Sequence, residues 1–403
     1  MADNGRNGDA APNVIRRVAR LAAERRPDDE VFARFVLEYY GELPEFDVDD
    51  RREDDLYAAA LTHLGLGRER SPGTTKIEVL SPDWDRDGWH SDRSLVMIVT
   101  DDVPFLVDTV RLVLERRSIS THLLVHPMLR VRRGIDGGLT AIADDADHRY
   151  RDLVEAWTLV EIDRLDDATA VTLRDDLEAA VASVHNVVAD FGPMRDRIAG
   201  FVELDPLLRW LVDGNFVFLG AATYRLTPSG PQLVPDSVLG HRSTFDTIDP
   251  DIVTDGPAVC VARSTRTSTI HRDSRYTVIT VLCDRDGGRF AERFVGLLAS
   301  SAYRQSVLAI PSVGDRAQAV LGLAAHGAET HTGRTMRNVL ETLPRDLVFE
   351  LDGEQLAELV IDVVGLQERQ IVRVFDVPEP VGDCSTVMVY LPKQRFSAQL
   401  PER

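Results

Sequence analysis

The sequence predicts the α+β class: a helical N-terminal cap, a βαββαβ sandwich with helices on one face, and an antiparallel sheet domain with helices of its own. Three observations lead there. Residues 94–133, SLVMIVTDDVPFLVDTVRLVLERRSISTHLLVHPMLRVRR, pass from an apolar run to helical spacing and back to strand-like composition. A second strand-like run, Glu155 to Asp163, precedes a long stripe at three-to-four spacing: Leu173, Leu177, Val181, Val184, Val188 and Phe191. From Phe216 onward, β-rich segments alternate with turn signals, of which Asp286-Gly287-Gly288 is the strongest.

Residues 1–12 are polar and read as a disordered tail. Val14 to Glu24 carries the stripe Val14, Val18, Leu21; Glu30 to Leu43 carries Phe32, Phe35, Val36, Tyr39; Asp54 to Leu64 is alanine-rich. Short helices before a strand imply a docked cap. Thr75 to Leu80 alternates and reads as a strand before Pro82. Leu95 to Val99 is short enough for a buried strand. Pro104 suits a first helical turn, where its missing N–H is not needed. Leu106, Val110, Val113 and Leu114 then share a helix face through to Arg116 and Arg117, cations at the C-terminal end of the dipole. Residues 121–133 form a strand bent at Pro127, which completes a βαβ unit with the expected right-handed crossover. Gly134-Ile135-Asp136-Gly137-Gly138 turns a hairpin into Leu139 to Ala143. Asp166 and Asp167 cap the long helix, and Gly192-Pro193 is expected to end it.

Met194 to Trp210 is amphipathic and reads as a connector, broken at Asp213-Gly214-Asn215. Phe216 to Leu226, Val259 to Arg263, Tyr276 to Cys283 and Arg289 to Leu297 are strands, with a punctuated loop over Thr227 to Asp255. Helices follow at Ser312 to His326, Thr335 to Leu343 (stopped by Pro344) and Asp352 to Arg369. Ile371 to Val377 and Thr386 to Leu391 are strands without a visible partner sheet, so the chain reads as cut inside a domain. The expected divisions are the tail 1–12, the cap 13–73, the sandwich 74–193, a connector 194–212, the mixed domain 213–368 and the start of a further domain at 369–403.

Composition narrows the function. A chain of 403 residues, 44% hydrophobic and 28% charged, is an ordinary globular protein of more than one domain. A net charge of −20 argues against nucleic acid or an anionic membrane as partner. Arg130, Arg132 and Arg133 cluster, but as a solvated strand end. No apolar run approaches the ~20 residues of a membrane helix, and no signal peptide is visible, so a cytoplasmic location is expected. Cys260, Cys283 and Cys384 are dispersed and read as inert thiols.

Catalytic and metal motifs are absent. Gly65-Leu66-Gly67 has Arg70 where a dinucleotide fingerprint needs glycine, and it follows a helix. Lys76 and Lys393 are the only lysines, and neither sits in a glycine-rich turn. His122 and His126 would lie ~13 Å apart on a strand rising ~3.3 Å per residue, too far to share a metal. Ser300-Ser301-Ala302-Tyr303 reads as turn chemistry. The candidate site is the loop Asp101, Asp102, Val103, Pro104, Phe105. There a carboxylate could meet an ammonium group and a helix start could meet a carboxylate, the two ends of an amino acid. The competing reading is a helix-capping Asp.

Residues 94–133 resemble the N-terminal region of the large bacterial NAD-specific glutamate dehydrogenases. So do DGNFVFLGAATYRL, STIHRDSRYTVITVLCDRDGGRFAERFVGLLASSAY, NVLETLPRDLVFEL and GLQERQIVRVF…VMVYLPKQRF, in the family's order from about Val31 onward. The resemblance implies a very long subunit whose N-terminal part carries ACT-like and PAS-like domains ahead of a Rossmann-type catalytic region. On that basis 74–193 is ACT-like, 213–368 PAS-like, and 369–403 the start of a second ACT-like domain. Asp102-Val103-Pro104 resembles the D-x-P of an ACT ligand loop, with Phe105 where amino-acid-binding members usually carry glycine. Neither lysine matches the family's catalytic lysines.

The resemblance therefore implies a regulatory and oligomerisation region of a cytoplasmic oxidoreductase of amino-acid catabolism. It implies no catalysis or cofactor in this chain, NAD in the parent enzyme, homo-oligomers formed through the rest of the enzyme, and allosteric regulation by an amino-acid effector. A free-standing amino-acid sensor and a chain with dehydrogenase activity of its own are the alternatives.

Overall fold

The computed structural model describes residues 13–143, 152–245, 254, 256–285, 287–324, 329–366, 369, 371–378 and 385–392. The tail expected to be disordered, together with Cys384 and Lys393, lies outside the described residues. The chain forms two compact units, Met1–His185 with Thr269–Arg272, and Asn186–Ser268 with Asp273–Arg403.

The first unit opens with helices α1 (Asn13–Arg25), α2 (Glu30–Tyr40), α3 (Glu45–Val48) and α4 (Glu53–Gly67). Next come β1 (Lys76–Leu80), α5 (Trp84–Asp87), β2 (Arg93–Asp101), α6 (Leu106–Arg116), β3 (Thr121–Val125), β4 (Met128–Arg133), β5 (Leu139–Ile142), β6 (Leu153–Asp163) and the start of α7 (Asp167–Ala199). The six-stranded sheet has the order β1-β2-β6-β4-β5, with β3 also on β6. Every pairing is antiparallel, so β2 and β3 run parallel with β6 between them. The crossover expected from the sequence is thus a split βαβ. Pro127 has no N–H to give the ladder, so it separates β3 from β4, while its carbonyl still accepts from Trp157 N–H at 3.1 Å.

The α+β class holds, with one change in strand order. A βαββαβ sandwich takes its last strand from after the second helix. Here β1 already holds the position beside β2, in register from Lys76↔Val99 to Leu80↔Leu95, so the N-terminal strand closes the sheet.

Both faces of this sheet are covered. On one, Val96, Ile98, Ala156, Val160 and Ile162 pack with Leu106, Val110 and Leu114 of α6 and Leu173, Leu177 and Val181 of α7. On the other, Leu95, Met97, Val99, Trp157 and Leu159 pack with the helical cap, including Ile15, Val18, Phe32, Phe35, Tyr39 and Leu64. This explains why Leu95 to Val99 is apolar without alternation: a strand buried on two faces has no polar side. Trp157 anchors the cap, its ring 4.9 Å from that of Phe35. Gly67 ends α4 against it, where a Cβ would come within 2.1 Å of the indole.

His63 sits in that core, wholly buried. Its Nε2 lies 3.3 Å from Ile98 O, an acceptor only, so Nε2 carries the proton and Nδ1 accepts from Tyr39 O–H at 2.6 Å. Burial pushes its pKa down to about 3.

The second unit continues α7 and adds α8 (Pro206–Trp210), β7 (Phe216–Thr227), β8 (Gly230–Leu233), β9 (Leu239–Gly240), β10 (Val259–Thr267), β11 (Arg275–Arg285) and β12 (Gly288–Leu298). These strands form an antiparallel six-stranded sheet, β10-β11-β12-β7-β8 with β9 on β7. Helices α9 (Ser300–Arg304), α10 (Val313–Gly322), α11 (His331–Thr342), α12 (Arg345–Glu350) and α13 (Gly353–Val364) follow, then the hairpin β13 (Arg373–Pro378) and β14 (Ser385–Tyr390). Asp352 and Gln355 form a reciprocal capping box at the start of α13.

Several local expectations are corrected. Pro104 precedes the helix, which starts at Leu106 after Phe105 in the left-handed region, φ 68°. Pro193 does not end α7: it removes one backbone donor, but the fully buried Met194 and Ile198 continue the apolar stripe through it. Thr227 to Asp255 holds strands β8 and β9, because the long β7 leaves ladder positions that short segments can fill. The helix expected to reach Arg369 stops at Val364.

A buried neutral histidine makes stability depend on pH. Unfolded His63 takes up a proton below about 6.5 and the folded residue does not until about 3. Its contribution is therefore full above pH 6.5 and is lost as pH falls through that window, by about 1.4 kcal/mol per unit. Urea denaturation of wild type and His63→Gln between pH 7 and 4 should show the steeper loss in wild type. Parallel curves would contradict this.

Candidate functional site: the loop between β2 and α6

The loop 101–105 is placed by two apolar anchors, the buried end of β2 and Leu106 at the start of α6. Its first residue, Asp101, is spent within the fold. One carboxylate oxygen accepts from Arg70 Nη2 and the other from Gly73 N–H at 3.0 Å. The Arg70 side chain is fully buried, and its Nη1 donates to Thr74 O at 2.8 Å.

Directly across the ladder from Asp101 stands Glu155, buried completely. Glu155 lies 3.3 Å from Arg70 Nη2 and receives a two-pronged contact from Arg133, Nε to Oε1 at 2.7 Å and Nη2 to Oε2 at 2.8 Å. Arg133 also donates to Gly67 O at 2.9 Å and Gly137 O at 2.8 Å. Two guanidinium groups and two carboxylates thus balance in one cluster, with Arg70, Arg133 and Glu155 buried and Asp101 partly exposed, and the pairing is what lets the buried members leave water. Arg133 is correspondingly not the solvated strand end expected, and Arg132 pairs with Asp152 at 2.9 Å.

The cluster continues through hydroxyls. Thr100 Oγ1 lies 2.9 Å from Thr75 Oγ1 and 2.8 Å from His185 Nε2. Burial lowers the His185 pKa, with Asp101 acting in the opposite direction and Arg70 with it. Of the remaining loop residues, Asp102 and Pro104 are exposed and Val103 is half-buried. Phe105 is half-buried, and its ring lies 4.5 Å from that of His271. His271 N–H donates to Thr109 Oγ1 at 3.0 Å, and His271 Nδ1 lies 3.3 Å from Asp108 Oδ2. Burial lowers the His271 pKa against the opposing effect of Asp108.

The structure therefore brings Asp101 together with Arg70, Arg133 and Glu155, and Phe105 with His271 and α6. Nothing in linear spacing pointed to Arg70, Glu155 or His271. The single available signal was Arg133, an arginine at an alternate position of a strand that is otherwise apolar on that side.

The other candidates resolve into structure. Gly67 packs on Trp157. His122 pairs with Asp163 at 2.7 Å, a hydrogen bond that holds the Asp163 carboxyl down at about 2, whereas His126 pairs with Thr158 at 2.7 Å. Among the described residues no group of three or more His, Cys, Asp or Glu could hold a metal. Burial raises the Cys260 and Cys283 thiols, which disfavours the reactive thiolate. Ser301 donates to Gly214 O and Tyr303 to Asp346, each at 2.8 Å.

A split βαβ sheet with α6 and α7 on one face defines the class as an ACT-type α+β protein, and residues 35–177 match the family model described as glutamate dehydrogenase, ACT1 domain. Residues 310–369, spanning α10 to α13, match glutamate dehydrogenase, helical motif 1. Three NAD-specific glutamate dehydrogenases are similar along most of the chain. That of Halomonas elongata is 28% identical over 421 residues, covering 96% of this chain and 26% of the relative. That of Pseudomonas aeruginosa is 28% identical over 400 residues, covering 91% and 25%. That of Mycobacterium tuberculosis is 26% identical over 353 residues, covering 83% and 21%. The chain is similar to the N-terminal region of NAD-specific glutamate dehydrogenases, and it spans about a quarter of the length of these relatives.

Removing one partner from a buried ion cluster leaves an uncompensated charge. Glu155→Gln should therefore cost about 3–5 kcal/mol in chemical denaturation. Asp102→Asn, at an exposed position, should stay within about 0.5 kcal/mol of wild type. Equal effects would refute the distinction between the two carboxylates.

Proposed function

We propose that this chain is the regulatory and assembly region of an NAD-dependent glutamate dehydrogenase and carries none of its chemistry. The parent reaction converts glutamate, NAD and water to 2-oxoglutarate, ammonium, NADH and a proton. NAD and the catalytic lysines belong to the rest of such an enzyme, as do the contacts that make it a cytoplasmic homo-oligomer.

One observation carries the reading: the ACT-type loop is committed to the fold. Asp101, which could have met an ammonium group, is held by Arg70 and the Gly73 amide. Phe105 puts an aromatic ring where a ligand would lie against backbone, and that ring is already in contact. Asp102 is exposed, and Asp101, though partly exposed, already has both carboxylate oxygens engaged. The sheet faces are not available for assembly either, since both are covered within the unit. Assembly through this unit must therefore use helix faces or the sheet edges. At the β1 edge, Lys76 and Glu78 are exposed and oppose indiscriminate pairing.

A free-standing amino-acid sensor is the second reading, favoured by the exposed Asp102 beside the start of α6. Two measurements separate the readings. The purified chain should form no NADH from glutamate and NAD, and calorimetric titration with each common amino acid should give no saturable micromolar binding. NADH formation would overturn the absence of chemistry. Saturable binding abolished by Asp102→Ala would establish the sensor.

A further inference from the structure

The sheet of the first unit ends at β1, which pairs with β2 and, among the described residues, with no other strand. An end strand offers a row of free backbone N–H and C=O groups to an extended partner. Ile77 and Val79 lie opposite Ile98 and Val96 and pack against the core shared with α6 and α7. Both are only half-buried, so part of that apolar face meets water at this edge. Lys76 and Glu78 lie opposite Val99 and Met97 on the cap side, and both are exposed. Neither forms an ion pair with another described residue.

Charged end strands commonly guard against pairing. Here the two charges have opposite signs and share one face, a pattern that blocks most registers and favours one. Two copies that pair antiparallel about a two-fold axis normal to the sheet bring residues of the same face opposite each other. Each register is then centred on one residue. A register centred on Lys76 sets two ammonium groups opposite each other, and one centred on Glu78 sets two carboxylates so, and like charges in that position destabilise. Centred on Val79 or Leu80, neither charge meets its opposite. Centred on Ile77, Lys76 of each copy stands opposite Glu78 of the other, and the two half-buried Ile77 side chains meet at the axis.

We infer that two copies of this chain pair edge to edge through β1, in the register centred on Ile77, and so join their sheets into one. The charges reject the wrong registers and reward this one, which is how a specific contact differs from aggregation at the same edge. The inference goes beyond the proposed function, which places the contacts of the homo-oligomer in the rest of the enzyme, and adds one inside this region. Its test reads self-association and is blind to NADH formation and to amino-acid binding, so the two can fail separately. The paired strands are short, so the contact is weak in the free chain and is strengthened in any assembly that holds two copies close.

Sedimentation equilibrium of the full chain tests this, with a dimer expected at a dissociation constant of about 100 μM or below. Lys76→Glu and Glu78→Lys each set like charges opposite each other at both contacts, so each should weaken the dimer about tenfold or more. Lys76→Glu combined with Glu78→Lys remakes two contacts of opposite sign and should restore wild-type affinity. Both positions are exposed, and an unchanged far-UV circular dichroism spectrum checks that the fold is kept. A wild-type chain that stays monomeric to about 1 mM would overturn the pairing. So would a dimer that neither single substitution weakens, or one that the combined substitution fails to restore.

Discussion

The central strands β2 and β6 are buried on both faces, and most of the first unit follows from that. A strand with no wet side must be covered twice, so the sandwich needs α6 and α7 on one face and the helical cap on the other. Trp157 is the hinge of the second layer. It packs on Phe35 and on His63, and it leaves room for α4 only because residue 67 has no side chain. The cap is thus half of the covering of the sheet, and the hydrophobic gain from each large apolar residue beneath it, roughly 1.5–3 kcal/mol, depends on its staying in place.

The same constraint explains the ion cluster. Where β2 and β6 end side by side, Asp101 and Glu155 are paired across the ladder, and two carboxylates in that position would repel each other. Arg70, from the segment that follows the cap, and Arg133, from β4, neutralise them. Because the partners come from four separate stretches of chain, the cluster ties cap, sheet and loop together. A loop held in that way is a poor place to grip a solute and a good place to transmit a displacement of the cap.

The apolar periods were legible in the sequence because they depend on neighbours three, four or two residues away. The βαβ stretch, the bend at Pro127, the hairpin after Arg133 and the long helix after Asp166 were all visible that way. What was not visible depends on distant partners. Pro193 reads as a stop until Met194 and Ile198 are seen to be buried beyond it. β1 reads as a leading strand until its register places it where a final strand would otherwise lie. For the site, Asp101 to Phe105 could be picked out by position, at a strand end before a helix. What those residues do could not, because Arg70, Glu155 and His271 are dispersed in sequence.

The account makes the cap a structural half of the covering of the ACT-type sheet, with Arg70, in the segment that follows it, holding Asp101 at the start of the loop 101–105. The most direct measurement is near-UV circular dichroism, with dye binding, of a chain lacking residues 13–73. The account predicts loss of the Trp157 near-UV signal and strong binding of an apolar dye, with secondary structure largely retained, because one sheet face and Glu155 are left uncovered. A chain that keeps its near-UV spectrum and unfolds cooperatively at the wild-type midpoint would contradict it.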